Sequence, residues 1–86
     1  MPMNELELLK SKIKYRSHYR GTKEMDTLLT SFAKAVVEKL SLNELEALNV
    51  FMNCEDSEIY EFYQYNKPMR NFDNKKILEM FRNFKI

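Results

Sequence analysis

Glycine, proline and cysteine are nearly absent from this sequence, which has one Gly, two Pro and one Cys in 86 residues. β-Hairpins turn on Gly-containing pairs such as Asn-Gly or Asp-Gly, and neither pair occurs, so an all-β fold is excluded. A lone cysteine, Cys54, permits no internal disulfide and no multi-Cys zinc site. A chain without disulfides suits a reducing compartment. No apolar run approaches the roughly 20 residues that cross a bilayer. A strong excess of one charge is missing too: 14 basic residues face 13 acidic ones, for a net charge of +1. Proteins that hold nucleic acid through its phosphates usually carry a clear basic excess. Residues 1–7 hold two acids and no base, unlike a secretory signal or a mitochondrial presequence. The expectation is a complete cytosolic chain without membrane insertion.

What is present fits one small helical core. The hydrophobic fraction is 44% and the charged fraction 31%, enough to build one core and to cover it. A chain of this length forms one domain, residues 1–86, that buries roughly 60–65% of its unfolded surface. Leu6, Leu9 and Ile13 fall at helical spacing and predict a first helix over residues 5–15, with Asn4 as N-cap and Glu5 and Glu7 in the first turn. Gly21 then marks a turn. Met25, Leu28, Leu29, Phe32, Ala33, Val36 and Leu40 form the longest apolar stripe, predicting a helix over 22–40 with Thr22 as N-cap. Ser41 to Glu44 reads as a capping box opening a helix to about residue 53, with Leu45, Leu48, Met52 and Phe51 inward. Asp56 is read as N-cap of a fourth helix burying Ile59, Phe62 and Tyr63. Pro68 makes 66–73 a loop. Asp73 is read as the cap of a last helix with Ile77, Leu78, Phe81 and Phe84 inward. The fold class expected is all-α, a single small bundle of about five short helices.

Catalytic patterns are lacking. There is no phosphate loop, no Gly-rich nucleotide fingerprint and no His-x-x-x-His pair, and one His with one Cys cannot make a zinc site without carboxylates. The acids cluster at helix starts, where capping accounts for them. An enzyme is not expected. Cys54 has no base beside it in sequence and reads as a packed thiol. Met25, Met52 and Met80 read as core gap-fillers. Lys10, Lys12, Lys14, Arg16, His18 and Arg20 form a basic run interleaved with Tyr15 and Tyr19. Such a run fits either a nucleic-acid patch or a solvated helix end that docks a protein. Alternate residues on a helix fan out rather than share a face, which favours the second. Arg20-Gly21-Thr22-Lys23-Glu24 stands apart: a turn with Arg20 and Glu24 about one helical turn apart and free to point outward. Gly21 there would let a partner's backbone approach, and Arg20 could fork onto a carboxylate or phosphate.

That segment, in its context, resembles the succinate dehydrogenase assembly factors that promote flavin attachment. The shared features are Arg-Gly-x-x-Glu at Arg20-Gly21-Thr22-Lys23-Glu24, preceded by Tyr15-Arg16 and followed by Asp26, Leu28, Leu29 and Phe32-Ala33. A Leu40-Ser41 junction with Glu44, then Asp56 to Tyr60 with Phe62, Pro68 and an aliphatic last helix (Ile77, Leu78) complete the likeness along nearly the whole chain. Phe62 stands where the family usually has Trp, and His18-Tyr19 where it is often more basic.

The resemblance implies a five-helix, monomeric factor that binds the flavoprotein subunit of succinate dehydrogenase, or that of fumarate reductase, and aids covalent attachment of FAD to it. It implies no cofactor of the factor's own, since the FAD belongs to the client, and no metal. It makes Arg20, Gly21 and Glu24 the partner-binding residues, with Arg16, His18 and Asp26 on the same surface, in a bacterial cytoplasmic protein. The other reading is a small helical nucleic-acid-binding or antitoxin-type regulator using residues 10–20. Gly21→Arg is expected to leave the helices intact and to abolish flavin attachment.

Overall fold

The computed structural model describes residues 4–85. Met1, Pro2, Met3 and Ile86 lie outside the described residues, and with them the reading of Pro2 as a lead-in to the first helix. Five α-helices follow one another, with no strand among the described residues. None of the helices is long and apolar enough to cross a membrane.

α1 (Glu5–Arg16) begins as its sequence dictates: the Asn4 side-chain oxygen accepts from the Glu7 N–H at 2.8 Å. α2 (Lys23–Val36) opens on Thr22, whose hydroxyl accepts from the Met25 N–H. It stops short of the expected residue 40. Val37–Lys39 tighten into a 3-10 turn, and Leu40 is extended with φ −103° and ψ 146°. The tighter turn gives terminal carbonyls closer donors, and the extended Leu40 delivers Ser41 into cap geometry. α3 (Leu42–Met52) then starts with both halves of the capping box, Glu44 N–H to Ser41 Oγ at 3.3 Å and Ser41 N–H to Glu44 Oε1 at 2.9 Å.

The last two starts differ by one residue from expectation. α4 (Asp56–Tyr65) is preceded by Glu55 at the N-cap, so Asp56 is its first residue and its side chain is free for other work. α5 (Lys75–Arg82) is capped by Asn74, whose Oδ1 accepts from the Ile77 N–H at 3.1 Å, and Asp73 sits one position too early. α4 ends with Asn66 in the left-handed region, φ 57°, and Lys67 N–H reaches back to the Glu61 carbonyl. Pro68 follows, as expected after such an end. Glu58 holds the loop beyond it by accepting from the N–H groups of Arg70 and Asn71 at 2.6 and 3.0 Å.

The core is aromatic at its centre. Phe32 of α2, Phe51 of α3 and Phe81 of α5 are fully buried and meet with ring centroids 5.0–6.2 Å apart, the edge-to-face spacing that aromatic pairs favour. Ile13, Leu29, Leu45, Leu48, Ile59 and Ile77 enclose them. Met25 and Met52 are buried, and Met80 packs against the core at its margin. Three residues join the core unforeseen: Val37 from the 3-10 turn, and Met69 and Phe72 from the 66–74 loop. Phe72 lies 5.3 Å from Phe51, ring to ring. A loop carries no periodicity, so its inward residues left no pattern to read. The Tyr63 hydroxyl donates to the Phe84 carbonyl at 2.7 Å, pinning the chain just beyond α5.

Candidate functional site

The turn between α1 and α2 packs against the junction between α3 and α4, and Arg20 is the bolt. Its guanidinium does not point outward as expected. Nε donates to Asp56 Oδ1 at 2.7 Å, and Nη2 lies 2.7 Å from the same oxygen. Nη1 donates to the Arg16 and Met52 carbonyls, each at 2.8 Å, and Nη2 to the Cys54 carbonyl at 3.1 Å. The side chain is 11% exposed. The chemistry explains the inward turn. The last carbonyls of α1 and α3 lack intrahelical donors, and one planar fork can serve both helix ends and a carboxylate together.

Gly21 has a contact inside the fold that its sequence context did not suggest. No glycine here has positive φ. Its N–H donates to Asp56 Oδ2 at 2.5 Å, and a Cβ at this position would lie 3.0 Å from that same oxygen. A side chain here would make the Asp56 carboxylate give by a few tenths of an ångström. Both Asp56 oxygens are thus committed, one to Arg20 and one to Gly21. Sequence reading missed Asp56 as a member because it took the residue for a cap, and because 36 residues separate it from Arg20.

The other sequence-selected residues surround this clamp without joining it. Glu24 is exposed in the first turn of α2. It borders a groove of about 550 Å³ that Thr22, Met25, Asp56, Ser57 and Tyr60 also line. Arg16 is exposed and lends only its carbonyl. His18 is exposed, with Nδ1 3.4 Å from the Thr30 hydroxyl, which donates to the Ser17 carbonyl. Asp26 is half-buried, and its Oδ1 has no protein partner among the described residues.

The corner holds no nucleophile primed for attack. Burial, and next the charge of Glu58, push the Cys54 thiol up, against a smaller opposite pull from Arg20. That shift disfavours the thiolate, which is the reactive form. Among the described residues no three His, Cys, Asp or Glu side chains stand together as a metal site. What the corner offers is shape and charge: a rigid turn, an outward carboxylate at Glu24, and a groove beside it.

The family described as the flavinator of succinate dehydrogenase matches residues 11–85, which take in the whole corner. This chain belongs to that family. Among curated proteins, the mitochondrial succinate dehydrogenase assembly factor 2 of Dictyostelium discoideum is 35% identical over 60 residues. The aligned stretch is 70% of this chain and 43% of that protein, so this chain matches less than half the length of its relative. No solved structure matches the chain. The expectation of a bacterial cytoplasmic protein does not stand, because the relative found is a eukaryotic protein named as mitochondrial.

Proposed function

We propose that this chain is an assembly factor that binds the flavoprotein subunit of succinate dehydrogenase and promotes covalent attachment of FAD to it. The flavoprotein of fumarate reductase is the second client to test. The observation that carries the reading is the family match across residues 11–85. The factor works as a monomer, holds no flavin of its own and contributes no catalytic group. Its action is positioning: a rigid surface holds the client's flavin-binding and capping parts in one arrangement, so that the client's own histidine meets the flavin. Correct placement of reacting groups alone lowers barriers by several kcal/mol.

The labour within the Arg-Gly-x-x-Glu segment is divided in this reading. Arg20 and Gly21 build the corner by locking the α1–α2 turn onto Asp56. Glu24 makes the polar contact with the client from the groove rim, and Arg16 and His18 are exposed neighbours that extend the surface. Asp26 stands behind it with one carboxylate oxygen unpartnered by protein. Capture is the direct test. The tagged chain should retain the flavoprotein subunit when that subunit is free of its iron–sulfur partner. Retention of no flavoprotein from a lysate rich in that subunit would overturn the reading.

A further inference from the structure

We propose that Tyr15, His18 and Tyr19 form a second docking element of this surface, one that takes an acidic face of the client flavoprotein. The inference rests on the proposed function and adds to its surface an aromatic group and the charge of the partner face. Tyr19 is the starting observation. It has φ 60°, in the left-handed region, which is unfavourable for a bulky residue and uncommon outside glycine, Asn and Asp. Among the described residues the other non-glycine residue there is Asn66, a helix C-cap of the type that tolerates this conformation. A tyrosine at such a position has to be explained by its side chain, and that side chain is 87% exposed. Strained backbone persists where the surroundings fix it, and it clusters at functional sites.

The strain sets up an aromatic group. Tyr19 lies 6.2 Å from Tyr15 and 6.0 Å from His18, centroid to centroid, and Tyr15 is itself 70% exposed. Two tyrosines standing open to solvent beside each other mark an interaction surface rather than a scattered apolar residue. Tyrosine is also prominent among residues that carry binding energy at interfaces.

Charge identifies the partner. No acid occurs between Glu7 and Glu24. Within that stretch Lys10 is paired with Glu38 and Arg20 with Asp56. Lys12, Arg16 and Lys23 are exposed and make no ion pair among the described residues. Lys12 stands three residues before Tyr15 on α1 and Arg16 follows it directly, so unpaired cations accompany the aromatic group along the chain, which fits carboxylates around an apolar centre. A protein face is favoured over nucleic acid because the whole chain is only +1 and Arg20 is spent inside the fold.

The test is titration of the purified chain with the flavoprotein subunit before flavin attachment. Tyr19→Asn relieves the backbone and removes the ring. It should leave the melting temperature unchanged or a few degrees higher, yet weaken binding about tenfold or more, as loss of an interface anchor does. Tyr15→Ala should weaken binding with the melting temperature held within about 2 °C. Binding at full strength by both variants overturns the inference and leaves the proposed function standing. So does a fall in both stability and affinity for Tyr19→Asn, which would make the ring structural. A wild-type shift of a single-stranded RNA, abolished by Tyr19→Asn while client affinity is kept, overturns it as well. Failure of the wild-type chain to bind any form of the flavoprotein defeats the proposed function itself, and the inference with it.

Discussion

Replacing Arg20 with Ala strips donors from four groups at once: the Asp56 carboxylate and the carbonyls of Arg16, Met52 and Cys54. Breaking a buried ion pair by removing one member costs about 3–5 kcal/mol, mostly because the other charge is left without a partner. Asp56 is 29% exposed, so water recovers part of that, and Gly21 N–H still donates to it. A loss of about 2–3 kcal/mol is the reasonable figure. Domains of this size hold only on the order of 5–10 kcal/mol in total. At about 4–8 °C per kcal/mol the melting temperature should fall by about 10–20 °C. Circular dichroism at the helical band, with urea titration alongside, reads both quantities. Asp56→Ala should cost less, and the double variant should cost clearly less than the sum, since the two residues share one interaction. Arg20→Lys should recover only part of the loss, because an ammonium cannot fork. If Arg20→Ala melts within about 2 °C of wild type while losing its client, Arg20 is a contact residue and the clamp is not what holds this corner.

Four further outcomes follow from the same contacts. Gly21→Arg should melt somewhat below wild type rather than leave the fold untouched, because its Cβ meets Asp56 Oδ2 at 3.0 Å and that carboxylate must shift where it accepts from Arg20 and Gly21; Gly21→Ala should show a smaller drop on the same thermal scan. Ser41→Ala removes the acceptor for the Glu44 N–H and should cost about 1 kcal/mol in urea titration. Phe32→Ala, at the aromatic centre, should cost about 3–5 kcal/mol and leave a chain with little native signal at 37 °C. Glu58 is held below its ordinary value of 4.5, first by the Asn71 N–H and then by that of Arg70, against a raising effect of burial. A carboxyl with a depressed folded pKa adds stability that is present above the unfolded value and disappears as pH falls through the folded one. Glu58→Gln should therefore lower stability at pH 7 and flatten the loss of stability below about pH 5, read from melting temperatures across that range.

Much of the architecture was legible because the forces that set it are local. The stripe from Met25 to Val36 lies on one face of α2, and Asn4, Thr22 and Ser41 each cap the helix that begins after them. Those signals act over three or four residues, the range a sequence pattern records directly. The misses have a common cause. Val37, Met69 and Phe72 enter the core from segments without helical period. Asp56 and Asn74 carry side chains equally suited to capping or to longer-range work, and only packing decides between them. Arg20 is the consequential case. Its spacing from Glu24 suggested two outward charges, but the free carbonyls that turn it inward belong to Met52 and Cys54, 32 and 34 residues away. No local pattern names those acceptors. Glu24, from the same five residues, is exposed at the groove, as its place in the first turn of α2 suggested.

The central claim is that this chain promotes flavin attachment through an exposed surface at the α1–α2 turn, of which Glu24 is the polar contact. Covalent flavin on the succinate dehydrogenase flavoprotein can be read by in-gel fluorescence in cells that lack their own factor and carry this chain instead. The wild-type chain should restore the fluorescent band, and Glu24→Ala, folded and melting within about 2 °C of wild type, should not. A band of full intensity with Glu24→Ala, or one equally strong with no factor supplied, would contradict the account.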